Sequence, residues 1–153
     1  IFSLFSESVI PNANSVVAIT IILLFIGIGI VFDMVGIAIT VADIKTFNSM
    51  ASKQVKGAKL AIKLIKNSEK ASSFCNDVIG DICGIISGSA GVALANIMAT
   101  NFNFNLLIVS LLITAIIAAL TIGGKAMGKA TAINKSTLIL FRFSQVIANF
   151  YRK

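Results

Sequence analysis

Long apolar runs alternate with polar segments along this chain, and three of the runs are long enough to cross a bilayer. They occupy about residues 16–42, 76–98 and 105–124, and only the aspartates at 33, 77 and 81 interrupt them. A bilayer core of about 30 Å requires about 20 helical residues, and a helix satisfies all of its backbone hydrogen bonds within one segment. The pattern therefore predicts three transmembrane helices.

The segment between the first two runs has a different periodicity. Its lysines recur at intervals of three and four residues, and an apolar row follows the same rhythm beside them. This pattern predicts a juxtamembrane amphipathic helix over about 45–72 that lies on the anionic inner leaflet. The alternative is a solvated face that only sets topology. The five lysines of this stripe are Lys56, Lys59, Lys63, Lys66 and Lys70.

The C-terminal segment repeats this theme. Over about residues 131–151, apolar side chains that include Ile139, Phe143 and Ile147 can share one face, with Arg142 offset from it. This spacing predicts a second juxtamembrane helix.

The distribution of cations predicts the orientation in the membrane. Of the thirteen Lys and Arg residues, seven lie between the first two runs and six lie from Lys125 onward. The positive-inside rule then places the segment 1–15 and the turn at 99–105 outside, and the long loop and the C-terminus in the cytoplasm. We expect a multi-pass protein of a cell membrane, a bacterial plasma membrane in particular. Since the chain starts at Ile1 on the outer side, we also expect that a signal or span precedes it.

Composition supports this class and argues against others. Hydrophobic residues make up 57% of the chain and charged residues 12%, and the mean hydropathy is +0.97, which indicates an all-α integral membrane protein with one membrane domain over 16–153. The chain has no histidine, so we expect no enzyme. Cys75 and Cys83 are interpreted as small packing residues rather than a redox or metal pair. Because topology explains the net charge of +7, we expect no nucleic-acid partner.

Charged side chains inside the spans are candidate functional residues. An ionised carboxylate near the bilayer centre costs about 2.5 kcal/mol or more, so such residues usually face a partner, an ion or water. In an α-helix, Asp77 and Asp81 would share one face, where they could hold a hard cation or repel each other so that one is protonated. Asp33 ends the uncharged first part of the first run, residues 16–32, and Lys125 follows the third run. Both are expected near the inner boundary, so all four groups can converge there.

Small residues mark where helices can approach closely. One stripe lies on the second span and another at the end of the third, which favours helix packing and a homodimer. These residues are Gly80, Gly84, Gly88, Gly124 and Gly128.

The order and spacing of several segments resemble the transmembrane domain of the CNNM and CorB/CorC magnesium transporter family. The similar segments are "AITVADIKTFNSMASKQVKGAKLAIKLIKNSEK", "NDVIGDICGIISGSAGVALA" and "GKAMGK", and the resemblance covers about residues 16–147. It implies three transmembrane helices, a cytoplasmic belt of juxtamembrane helices and a dimer.

The chain also departs from the pattern of that family. "FDMVGIA" replaces its Ser-rich segment, Lys125 occupies the position of its glutamate, and Gly128 the position of its proline. The nucleotide-binding CBS-pair module is absent from this sequence.

Two functional hypotheses follow. The first is a divergent divalent-cation transporter, for Mg²⁺ in particular, with the ion bound by Asp33, Asp77, Asp81 and Asn76, and with Ser87 and Ser89 as weaker oxygen donors. The second is a non-transporting scaffold or accessory subunit of a larger membrane complex, in which Asp and Lys side chains neutralise one another. Monovalent-ion or proton coupling, and a Ser-Lys hydrolase that uses Lys125, complete the alternatives.

Overall fold

The computed structural model describes residues 15–150, and every regular element within that range is a helix. Residues 1–14 and 151–153 lie outside the described residues. The segment 1–15, which we expect on the outer side, is therefore described only at Ser15. The helices are α1 (Ser15–Val41), α2 (Ile44–Ser52), α3 (Ala58–Lys66), α4 (Ser68–Ser73), a π-helical segment (Phe74–Ile79), α5 (Gly80–Phe102), α6 (Leu106–Asn134) and α7 (Ser136–Phe150).

Three helical stretches are long and apolar enough to span a membrane. They are Ser15–Val41, Ser68–Phe102 and Leu106–Asn134, the second of which joins α4, the π-helical segment and α5. The predictions of an all-helical fold and of three candidate spans are therefore confirmed. The second and third stretches extend beyond the predicted boundaries of 76–98 and 105–124 because helical hydrogen bonding continues into the flanking polar residues.

Large apolar side chains lie exposed along α6. Leu107, Leu111, Leu112, Ile116 and Ile122 are each more than half exposed. A contiguous apolar surface of this kind is unfavourable in water and marks contact with lipid or with another protein.

The chain forms two compact units. Within the described residues, the first contains 15–30 and 79–124. Its core brings α1, α5 and α6 together through small and branched side chains, and a Cβ on Gly91 would collide with Ile117, so the missing side chain permits this close approach. The buried core residues are Ala18, Ile22, Ile26, Ala90, Leu94 and Ile117.

The second unit contains residues 31–78 and 125–150 of the described range. Phe47 of α2 and Leu140 of α7 are fully buried in its core, and Cys75 is buried beside them. Phe32 and Phe143 meet edge to face with ring centroids 6.1 Å apart, a favourable aromatic geometry. The second unit thus has a hydrophobic core of its own.

One continuous juxtamembrane helix is predicted over about 45–72, but the structure has three shorter helices there, α2, α3 and α4. Asp43 caps α2 by accepting a hydrogen bond from the Lys45 backbone N–H at 2.9 Å. Gln54 and Gly57 have left-handed backbone conformations, with φ of 55° and 88°, and such residues end a right-handed helix. The second predicted juxtamembrane helix begins later than 131, since α6 runs to Asn134 and α7 starts at Ser136.

Candidate functional site

The clearest charge contact in the second unit joins α1 to α6. Lys125 Nζ lies 3.8 Å from Asp33 Oδ1, and the two side chains are 33% and 17% exposed. Asp33 is the only charged residue of α1, and Lys125 is the first of α6. The separation is that of a loose ion pair, longer than the 2.7–2.9 Å or so of a charge-assisted hydrogen bond. The carboxylate therefore keeps capacity for a further partner.

A second close contact involves Gly36, which lies about one helical turn after Asp33 in α1. A Cβ on Gly36 would collide with the side-chain amide of Asn76, so Asn76 occupies the space that Gly36 leaves open. Among the described residues, Asn76 Oδ1 is buried without a hydrogen-bond partner. An unpartnered buried carbonyl costs about 1–3 kcal/mol, and in native proteins such a group is often satisfied by an ordered water or an ion.

Asn76 and Asp77 both lie in the π-helical segment Phe74–Ile79. A π-turn inserts one additional residue, and such turns occur frequently at functional sites. The expected shared face of Asp77 and Asp81 assumed a continuous α-helix. Instead, Asp77 belongs to the π-helical segment and Asp81 to the first turn of α5.

The remaining predicted ligands are distributed over the two units. Asp77 belongs to the second unit and Asp81 to the first, and both side chains are exposed. Within residues 15–150, no three Cys, Asp or Glu side chains form a group that could hold a metal. Ser87 and Ser89 direct their hydroxyl hydrogens to backbone oxygens of their own helix, those of Gly84 and Ile86. Of the predicted carboxylate and amide ligands, Asp33 is paired with Lys125 and Asn76 has a buried, unpartnered Oδ1, whereas Asp77 and Asp81 are exposed.

The glycines predicted for helix packing differ in what surrounds them. Gly80 and Gly128 are buried, and a Cβ on Gly124 would collide with Ile30. A Cβ on Gly84 or Gly88 would have no neighbour within 4 Å among the described residues. These two glycines are therefore available to another chain or to lipid, and the homodimer stays a prediction.

The five lysines of the predicted basic stripe are all exposed. Lys59, Lys63 and Lys66 lie in α3, whereas Lys56 precedes that helix and Lys70 lies in α4. The helix breaks divide the stripe into shorter groups. Contact with an inner leaflet remains a prediction for these groups.

Sequence reasoning included Asn76 but missed its partner Gly36. The only available signal was a glycine one turn from the single charged residue of α1, and that signal is weak because glycines are frequent in membrane helices for many reasons. Nothing in the residue pattern indicates a π-helical turn.

No family model, no curated protein and no solved structure matches this chain. The resemblance to magnesium transporter domains therefore rests on the order and spacing of the segments alone.

Proposed function

We propose that this chain is the membrane domain of a divergent divalent-cation transporter, with Mg²⁺ as the preferred ion. The observation that carries the proposal is the buried, unpartnered Oδ1 of Asn76. Asn76 packs against Gly36, which follows Asp33 by three residues, or about one turn, in α1. An uncharged carbonyl oxygen near a carboxylate is a suitable ligand pair for a hard cation.

Two or three protein oxygens are sufficient for this ion. Mg²⁺ loses its hydration shell reluctantly and is commonly held by one or two carboxylates with several waters retained. In the proposed site Asp33 supplies the charge, Asn76 supplies the neutral oxygen, and Asp77 on the same π-helical segment lies close in sequence to Asn76. A cage of three acidic residues is not required.

Lys125 then acts as an internal competitor for the ion. Its ammonium group neutralises Asp33 at 3.8 Å, and a loose pair of this length can open when a divalent ion offers a stronger interaction. Movement of Lys125 away from Asp33 would accompany ion entry, and its return would favour release.

Ion flux tests the proposal directly. The protein is reconstituted in liposomes that contain a Mg²⁺-sensitive dye, and Asp33→Asn is compared with wild type. We expect at least tenfold slower flux for Asp33→Asn, equivalent to about 1.4 kcal/mol of ion binding. Glu69→Gln removes one exposed carboxylate outside the polar site and should leave flux unchanged. Equal flux in wild type and Asp33→Asn would contradict the proposal.

A structural role is the second candidate function, and the Asp33–Lys125 ion pair favours it. In this alternative the chain is a scaffold or accessory subunit of a membrane complex, and the pair neutralises charge within it. Removal of one partner from a buried pair costs about 3–5 kcal/mol, and less is expected here because Asp33 is partly exposed.

Lys125→Met separates the two candidates. In the transporter, loss of the competing ammonium strengthens Mg²⁺ binding, so added Mg²⁺ should raise the thermal stability of the variant more than that of wild type. In the scaffold, the variant loses roughly 2–3 kcal/mol, and Mg²⁺ does not restore it. Thermal unfolding with and without Mg²⁺ is the measurement.

A further inference from the structure

An apolar groove in the second unit has a positively charged border. It has a volume of about 510 Å³ and lies between α3, the start of the Ser68–Phe102 stretch and α7. Its apolar lining is formed by Leu60, Leu64, Ala71, Phe74 and Ile147. Phe74 is 57% exposed, so one wall of the groove presents an aromatic ring to the surroundings.

The charges around the groove have one sign. Lys63 and Lys70 both line it, and no acidic residue within the described part of the chain does. Asn67 lies between them, and its Nδ2 donates a hydrogen bond to the Lys63 carbonyl at 3.0 Å. Glu69 of α4 is exposed but is not part of the lining. The groove therefore combines an apolar interior with two ammonium groups at its edge.

The wall formed by α3 is anchored in the core of the second unit. Ala58 and Ala61 are fully buried, and Ile62 and Ile65 pack against the same core. Side chains on the neighbouring edge of α3, Leu60 among them, remain available to line the groove. The groove is thus part of the packed structure and does not depend on a loop.

The chemistry of this groove fits an amphiphile with a negative head group. Its volume lies within the range of about 300–1,000 Å³ that is typical of ligand sites. In membrane proteins, Lys and Arg near the cytoplasmic ends of spans attract anionic lipids of the inner leaflet. Phe74 lies near the start of the candidate span Ser68–Phe102, so insertion of this span in a membrane would bring the groove close to the lipid.

We propose that this groove binds one anionic phospholipid of the inner leaflet, with an acyl chain against Leu64 and Phe74 and the phosphate between Lys63 and Lys70. The inference depends on residence of the chain in a membrane and is independent of ion transport. The proposal gives two of the five lysines in the basic stripe a role in a defined lipid site. A diffuse electrostatic attraction to the membrane surface would instead involve all five lysines to a similar extent.

Photo-crosslinking tests the proposal with the full chain in bilayer nanodiscs. The probe is phosphatidylglycerol with a diazirine in one acyl chain, at low mole fraction in phosphatidylcholine, and labelled peptides are located by mass spectrometry. We expect labelling in the peptides that contain Leu64 and Phe74, and about tenfold less labelling there when the diazirine lipid is phosphatidylcholine.

Matched double variants distinguish a defined site from general attraction. Lys63→Gln with Lys70→Gln should lower labelling at Phe74 at least fivefold. Lys59→Gln with Lys66→Gln removes the same charge from the same segment, outside the lining, and should have little effect. Ala71→Phe, which fills the groove and keeps both lysines, should also lower labelling. Circular dichroism checks that each variant is folded. Lys63→Arg with Lys70→Arg keeps both positive charges and should retain labelling, which provides a second comparison for the glutamine pair.

Three results would overturn the proposal. Equal loss in both lysine pairs would indicate a diffuse basic surface. Equal labelling by phosphatidylcholine would indicate an apolar groove without head-group recognition. Displacement of the lipid by millimolar inorganic phosphate would indicate a site for soluble anions.

Discussion

The Asn76 side chain depends for its position on the missing Cβ of Gly36, and this contact can be tested by a double-mutant cycle. Gly36→Ala should destabilise the protein by about 1–3 kcal/mol, because the added methyl group collides with the Asn76 amide. Asn76→Ala vacates that space, so Gly36→Ala should cost close to nothing in the Asn76→Ala background. Denaturation of the four proteins in the same detergent gives the coupling energy.

Additive losses in that cycle would mean that Asn76 and Gly36 do not touch. Gly123→Ala serves as the matched control, since a Cβ there has no neighbour within 4 Å among the described residues, and it should not be destabilising. The control matters because Gly→Ala in a helix alters backbone freedom as well as packing.

The break between α2 and α3 depends on Gly57, and replacement of this residue should be costly. Gly57 has φ of 88°, and a Cβ there would lie 3.0 Å from the backbone nitrogen of Gln145. A side chain in the left-handed region costs about 1–2 kcal/mol before any collision is counted. We expect Gly57→Ala to lower the free energy of unfolding by about 2 kcal/mol, measured by thermal unfolding.

Hydrogen exchange locates this effect. In Gly57→Ala, amides of α3 and α7 should exchange faster, because the collision lies between their backbones, whereas amides of α5 should keep wild-type protection. Uniformly faster exchange throughout 15–150 would show instead that Gly57 supports the whole fold rather than this junction.

The complete asymmetry of the cations predicts the topology of the whole chain. In a background with Cys75→Ala and Cys83→Ala, a cysteine at Asn103 should react with an impermeant reagent from outside the cell, and one at Lys59 only after permeabilisation. Both positions are exposed, so accessibility within the fold does not limit the reaction. The reverse labelling pattern would contradict the predicted orientation, and with it the inner-leaflet location of the proposed lipid site.

Much of the fold could be predicted from residue pattern because a membrane restricts the choice of structure. An apolar run of about 20 residues in a bilayer has no water to bond its backbone, so it is expected to be helical. This argument predicts most of Ser15–Val41 and of the other two long helices.

The pairing of side chains could not be obtained in this way. Which face of α1 meets which face of α6 depends on helix rotation and register, so only the tertiary structure decided that Lys125 contacts Asp33. The contact between Asn76 and Gly36, and the π-helical turn that contains Asn76, also depend on packing between segments distant in sequence. Periodicity records only neighbours along one helix, whereas the groove bordered by Lys63 and Lys70 requires three helices to be in place.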